Sequence, residues 1–291
     1  MDGRDGLELA NDNAASHWSA MAEAEGWEVR RGVGYTAVRC ARAATDSHRV
    51  VLTRPPADAG ELTRELVALF RDWDSAAVCV EDPYDALDLS GYGCDSTLRM
   101  PVMVRPVGAP MTARNTPPPG TLSAASGASG AGPAGPGESP EPLEVLEAVA
   151  PDQLDQMEYV VVEGFPIPGR WPWRSGEMFP PKWTDIAGRR SWLARRGGKP
   201  AGACVSWDDG SAVGVYWVAV LPEHRSQGVA RALVEAVLRA HPHRPASLTA
   251  TLLGEPLYRK LGFVAQGETV WWRLPGAGSA YSGGDEQGPA R

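Results

Sequence analysis

The sequence predicts an α+β protein made of two domains, each a mixed, largely antiparallel twisted sheet flanked by helices. Three observations carry that expectation. The chain has 291 residues, enough for two cores of ordinary size. Residues 107–140 read VGAPMTARNTPPPGTLSAASGASGAGPAGPGESP, where Arg114 and Glu138 are the only charges. Pro, Gly, Ser and Ala at that density bury too little surface to offset the entropy of ordering, so the stretch is a flexible linker. On either side of it the chain runs through the same order of elements, which suggests an old tandem duplication. The expected units are residues 14–106, the linker 107–140, a second domain 141–275 and a disordered tail 276–291.

The first half opens with a helical pattern around ASHWSAMAEAEG and continues through two or three strand-like runs, of which HRVVLTR is the plainest. A helix follows. Asp58 can cap it, Glu61 stands three residues on as in a capping box, and Leu62, Leu66, Val67 and Phe70 form its apolar face. SAAVCV is then a buried strand, a short helix follows, and TLRMPVMV is the last strand.

The second half gives stronger signals. SWLARR turns at Gly197 and Gly198 into PAGACVSW, which turns at Asp208, Asp209 and Gly210 into VGVYWVAV, an antiparallel meander. Leu221 and Pro222 end that strand. After Gly228, apolar residues recur at helical spacing through Val229, Leu233, Val237 and Leu238 until His241 and Pro242. The strand ASLTAT (246–251), the short helix EPLYRKLG and the strand ETVWWRL complete the half.

Composition narrows the partners. Asp and Glu number 36 against 28 Lys and Arg, a formal net charge of −8, which argues against general affinity for nucleic acid or an anionic membrane. Cysteines at 40, 79, 94 and 204 form no C-x-x-C pair and have no histidine at zinc spacing. They are expected to be reduced, mostly buried thiols, with no metal site. The acidic N-terminus has no apolar core, and no run of about 18 apolar residues occurs, so a soluble, cytoplasmic protein is expected.

HRSQGVARAL, residues 224–233, lies where a strand hands over to a helix. A helix N-terminus exposes N–H groups that no intrahelical carbonyl satisfies, and the helix dipole adds positive potential. Gly228 allows close backbone approach, Ala230 keeps the first turn unobstructed and Arg225 adds a charge that can pair with phosphate, so a pyrophosphate fits. Taken alone, R-x-x-G-x-A is equally compatible with a turn glycine and a solvated arginine.

Downstream, LTATLLGEPLYRKLGF (248–263) sets out a strand, a small-residue turn, a helix carrying Tyr258 and Leu261-Gly262-Phe263. Together with VLPEHRSQGVARAL (220–233), it makes the second half resemble the GNAT superfamily of acyl-CoA N-acyltransferases. The resemblance implies that main-chain amides of Ser226, Gln227, Gly228, Val229, Ala230 and Arg231 cradle the pyrophosphate, with Arg225 at the start of the loop. It implies that Val218, Ala219 and Val220 bond the pantetheine arm of acetyl-CoA through their backbone, in a splay between their strand and ASLTAT. An N–H near Val220 then meets the thioester oxygen, and Tyr258 protonates the departing thiolate. Thr251 stands where its hydroxyl either orients the arm or caps the strand end.

The implied activity is acetyl transfer from acetyl-CoA to a primary amine of a small molecule or peptide, by direct attack, since no cysteine lies near these motifs in the sequence. A longer acyl chain and a non-catalytic acyl-CoA-binding or regulatory role stay open at this point. No general base is singled out: Glu223 reads as a surface residue, and Glu163, Glu177 and Asp185 lack a distinguishing position. Residues 163–183, EGFPIPGRWPWRSGEMFPPKW, combine Trp171, Trp173, Trp183, Phe165 and Phe179 with five prolines. This segment reads either as a wall over the acceptor cleft, with Arg170 and Arg174 near an acceptor carboxylate, or as an interface with the first half. The first half has VVLTRPPADAGELTREL at the equivalent place, without R-x-x-G-x-G/A, and is expected to be a degenerate GNAT-like unit that shapes the acceptor cleft.

Overall fold

In the computed structural model, which describes residues 5–40, 48–74, 77–112, 141–165 and 170–274, eleven strands form one continuous sheet. The N-terminal half supplies α1 (Gly6–Glu25), β1 (Val29–Gly32), β2 (Tyr35–Val38), β3 (His48–Leu52), α2 (Ala59–Asp72), β4 (Val78–Asp82), a 3-10 turn at Ser90–Tyr92 and β5 (Asp95–Arg105). The C-terminal half supplies β6 (Leu143–Glu147), α3 (Pro151–Gly164), a 3-10 turn at Pro181–Asp185, β7 (Arg189–Arg196), β8 (Lys199–Asp208), β9 (Val213–Val220), α4 (Val229–Ala240), β10 (Ala246–Thr249), α5 (Glu255–Lys260) and β11 (Val264–Leu274). Each half thus runs helix, three strands, helix, strand, short helical turn, strand, with β6 added before α3. Most of the expected linker and all of the expected tail lie outside the described residues.

The strand order is β1-β2-β3-β4-β11-β5-β10-β9-β8-β7-β6. The closing strands are exchanged: β11 lies between β4 and β5, and β5 lies between β11 and β10. These central pairings are all antiparallel, and β5 and β11 face each other from Asp95 with Arg273 to Val104 with Val264. The two expected sheets are therefore fused edge to edge. The exchange leaves no free edge at the middle, where an unpaired strand would otherwise template association.

Several boundaries differ from the sequence reading. The first helix reaches back to Gly6, because Asp5 accepts the Leu7 N–H at 3.2 Å and caps it. The strand expected at 246–251 stops at Thr249, since Thr251 turns the chain into α5 by accepting the Gly254 N–H at 3.1 Å. Strand β6 and helix α3 fall in a stretch where no element was assigned from sequence.

Among the described residues, four cores hold the helices on the sheet, and in the smallest Leu7 and Ala10 of α1 pack on Val102 and Val104. Leu66 and Phe70 of α2 pack on Val50 and Val80. Leu233 and Val237 of α4 pack on Val215, Leu248 and Phe263. On the opposite face of the C-terminal half, Met157, Val160 and Val161 of α3 pack on Leu193, Val205 and Ala219. Each fully buried Leu or Val contributes about 1.5–3 kcal/mol. Helix α1 packs on the same face as α3, because its Asn13 and His17 meet Tyr216 of β9. The first helix of one half therefore borders the sheet of the other.

Candidate active site

Strands β9 and β10 run parallel but pair only at Val213 with Ala246 and Gly214 with Ser247. Beyond Gly214 they part. The β8 side of β9 stays paired, Ala203 with Ala219 and Gly202 with Val220, but the register slips between Ala203 and Val205. Trp217 sits at that bulge with φ 55°. The end of β9 therefore borders an opening, with Val218 and Val220 toward the α4 core and Trp217 and Ala219 toward the α3 side.

The loop from Leu221 to Gly228 stands at the mouth of this opening. Ser226 and Gly228 adopt left-handed φ of 58° and 80°, and α4 begins at Val229 with Gly228 as its cap. Among the described residues, no backbone acceptor takes the N–H groups of Ser226, Gln227, Gly228, Val229, Ala230 or Arg231; the first satisfied amide is Ala232, which donates to Gly228 O at 3.0 Å. Left-handed residues interleaved along successive free amides form an anion-binding concavity. A Cβ built on Gly228 would meet nothing within 4 Å, so the space above the loop is open.

Arg225 stands exposed at the start of the loop. Its Nε donates to Val220 O and its Nη2 to Gly164 O, both at 3.3 Å, which ties the loop to the ends of β9 and α3. Arg196 on β7 donates through Nη2 to Gln227 O at 3.1 Å, and Gln227 Nε2 donates to Glu223 O at 2.8 Å. Arg231 turns aside to Glu235 at 2.7 Å. The side chains thus shape the loop while its amides stay available. Gly164 matters here too, because a Cβ on it would come within 3.0 Å of the Ala219 Cβ.

Tyr258 lies on α5 within the α4-side core, 8% exposed, in the same cluster as Val215, Ala250 and Cys204, with Val218 and Val220 packed against that cluster. Burial, and then the nearby Cys204, push its phenol well above the usual tyrosine value. Its hydroxyl makes no hydrogen bond to a described residue. The structure therefore brings a cysteine to the site that is distant from the motifs in sequence. Burial holds the Cys204 thiol protonated, its pKa far above the ordinary value, which makes it a poor nucleophile. Thr251 is exposed, and its hydroxyl serves the turn into α5.

The α3 side of the opening is built around a carboxylate that sequence reasoning missed. Glu158, 2% exposed, accepts Met178 N (2.6 Å) and Phe179 N (2.8 Å) on Oε1, and Gly176 N (2.7 Å) and Trp173 Nε1 (3.1 Å) on Oε2. It organises the aromatic segment, which sets Phe179 and Phe165 about Trp217 at 6.2 and 6.3 Å between ring centres. The segment also meets the first half, since Trp183 Nε1 donates to Glu25 Oε1 and Lys182 pairs with Glu25, both at 2.8 Å. It packs on β9 and on α1 at once. Arg170 and Arg174 are turned to Glu177. Residues 166–169 lie outside the described residues.

Among the described residues, no group of three His, Cys, Asp or Glu could hold a metal ion, and no helix is long and apolar enough to cross a membrane. A groove of about 560 Å³ opens elsewhere, along α1 between Asp12, Ser16, Tyr35 and Trp207.

Residues 187–265, from β7 into β11, match the profile of the acetyltransferase (GNAT) domain family. No curated protein sequence matches the chain. Among solved structures, a GCN5-related N-acetyltransferase from Kribbella flavida is similar at 16% identity and a TM-score of 0.55, over 90% of this chain and 96% of that one. A GCN5-related N-acetyltransferase from Sphaerobacter thermophilus is similar at 18% identity and a TM-score of 0.52, over 93% and 94%. A protein of unknown function from Staphylococcus epidermidis ATCC 12228 is similar at 10% identity and a TM-score of 0.53, over 85% and 93%. At such identities the likeness is one of fold; the acetyltransferase (GNAT) domain match itself covers residues 187–265, from β7 into β11.

Proposed function

We propose that the C-terminal half, residues 141–275, is an acetyl-CoA-dependent N-acetyltransferase that acts on a primary amine of a small molecule or peptide. The N-terminal half, residues 14–106, is a related unit without its own acyl-CoA loop. The observation that carries this reading is the run of six unclaimed amides, Ser226 to Arg231, beside the parting of β9 and β10. A pyrophosphate fits such a cradle, and an extended pantetheine arm fits a strand edge left without a neighbour.

Acetyl-CoA supplies an activated acyl group. The protein's own work is positioning, polarisation and proton transfer. The loop amides hold the diphosphate, and Arg225 and Arg196 hold the loop. The backbone of Val218, Ala219 and Val220 aligns the arm, and an N–H near Val220 faces the oxygen where negative charge develops. Tyr258, kept protonated by burial, donates its proton to the leaving thiolate. The amine attacks directly, from the side bounded by α1, α3 and the aromatic segment.

The test is Ala230→Glu. A carboxylate in the first turn of α4 suits the helix dipole, so the variant should fold, but it occupies and repels the anion site. Acetyl-CoA and CoA, not ATP, are expected to raise the melting temperature of the wild type; at about 100-fold over Kd the gain is roughly 2.7 kcal/mol. Ala230→Glu should lose that gain. A wild type unmoved by both CoA ligands would overturn the reading.

A further inference from the structure

Arg189 stands at the start of β7 on the α1 and α3 face of the sheet, 6% exposed. Its Nη1 donates to Ser191 Oγ at 3.0 Å. Its Nε and Nη2 are buried and have no hydrogen-bond partner among the described residues. No acidic side chain pairs with it among the described residues. The partly buried Arg49, by contrast, has the Glu81 carboxylate at 3.1 Å. A guanidinium taken out of water without a counter-charge is costly, and the groups left unmet here are the Nε/Nη2 edge, the side-on fork that takes a carboxylate by two parallel hydrogen bonds.

The surroundings suit a ligand of that kind. Phe179 and Trp183 lie 5.5 and 5.9 Å from the guanidinium carbon. Phe179 also touches Trp217, the bulge residue beside the cleft. On the α1 side, His17 is 2% exposed, stacks on Tyr216 at 4.1 Å and has a buried Nδ1 without a partner among the described residues. Arg189 is level with Trp207 and Gly214, five residues before Ala219, so the fork and the end of β9 lie about 16 Å apart along the strand before the arginine's own length is counted.

We propose that Arg189 is the specificity-determining anchor of the acceptor, and that the acceptor is an amine carrying a carboxylate, separated from the amine by an apolar or aromatic body that lies along Trp217 and Phe179. The proposal rests on the acyl-transfer reading for the amine end, but not for the carboxylate end. Arg170 and Arg174, engaged by Glu177, are not needed for it.

The experiment uses the full chain and matched probes: ω-amino carboxylic acids of increasing length, aromatic amino acids and short peptides, each beside its primary carboxamide. Binding is read by thermal shift without acetyl-CoA, and turnover by thiol release with it. In the wild type, the best acid should exceed its amide by at least roughly tenfold in kcat/KM, because a site built for a polar group rejects the analogue that lacks it. It should also stabilise the free protein more than the amide does. Arg189→Gln should bring acid and amide to near parity through KM, while its unliganded melting temperature holds or rises, since an uncompensated buried charge is removed. Arg189→Lys, which keeps the charge without the fork, should fall between. Parity of acids and amides in the wild type, or an acid preference that survives both substitutions, overturns the proposal. A protein that binds the acids but neither binds nor consumes acetyl-CoA would retain the anchor and sink the transferase reading instead.

Discussion

The helix after the third strand is closed by its own chain in one half and left open in the other. In the N-terminal half Asp58 Oδ1 accepts the Glu61 N–H at 2.8 Å, Glu61 adds a second carboxylate to the first turn, and Pro55 and Pro56 just before it carry no N–H. Helix α4 starts on a glycine with no acid in its first turn. The parallel strands differ in the same sense. β3 and β4 are paired along four residues, from His48 with Val78 to Val51 with Glu81, where β9 and β10 are paired along two. The same order of elements thus yields one sealed and one open corner. The open corner belongs to a few residues at the junction of strand and helix, and the architecture alone does not confer it.

The largest effect that would break this contrast concerns the tyrosines of the two short helical turns. Tyr258→Phe should lower kcat by about 10²–10⁴-fold, the usual worth of a positioned proton donor, with acetyl-CoA affinity unchanged by calorimetry. Tyr92→Phe, at the matching turn of the other half, should leave kcat as it was, because Tyr92 packs on Phe70 at 5.7 Å beside a closed strand pair. Equal effects would mean that the halves share the chemistry. No effect of Tyr258→Phe would assign that residue to packing.

The first helices of the two halves give the next contrast. The buried polar residues of α1, such as Asn13 and His17, are amide, imidazole or hydroxyl, whereas α3 buries the carboxylate of Glu158. Glu158→Ala strands three amides and an indole N–H, so it should cost about 3 kcal/mol or more in urea unfolding. Glu158→Gln, which keeps an acceptor, should recover part of that. Acetyl-CoA affinity should change far less than acceptor KM, because the carboxylate supports the aromatic cover and touches no loop amide.

Legibility in the sequence followed the range of the interactions. The α4 corner could be read because Gly228, its neighbours and the helix they begin are contiguous, and the Asp58 cap because Glu61 is three residues away. The parting of β9 and β10 followed from the family resemblance. The strand exchange could not be read: β5 and β11 are both long and apolar, and nothing local decides which of the two takes which neighbour. Glu158 could not be found either, since its partners lie 15 to 21 residues on in an irregular segment. Arg189 looks like one of two adjacent surface arginines until β7 is paired and its alternation sends Arg189 inward and Arg190 outward. Arg225 was legible as a loop residue, but which carbonyls it meets depends on α3, an element that sequence periodicity did not mark.

A smaller effect follows from α1 lying on the other half's sheet. Burial first, and then Arg189 and Arg49, lower the His17 pKa to about 3. The folded state therefore holds His17 neutral where the unfolded chain, with an ordinary value near 6.5, takes up a proton. The contribution is present above about pH 6.5 and is lost as the pH falls toward 3. Between pH 7 and 5 the loss amounts to about 2 kcal/mol. His17→Gln should flatten that part of the stability profile in urea titrations at fixed pH. An unchanged slope would move the acid sensitivity to other groups, His48 and His241 first, whose values burial also lowers.

The smallest effect tests whether the sealed corner is closed by its cap alone. Asp58→Ala removes one side-chain acceptor from an exposed helix start and should cost about 1 kcal/mol, seen as a modest fall in the urea midpoint. It should not create a second acetyl-CoA site, because Pro55 and Pro56 still lack N–H groups and β3 and β4 remain paired through Val51 and Glu81. The stoichiometry of acetyl-CoA binding by calorimetry is the deciding quantity, and it should stay at one per chain. A second equivalent in Asp58→Ala would mean that one carboxylate at a helix start separates a binding corner from a silent one. The paired strands would then be a consequence of the empty site and not its cause.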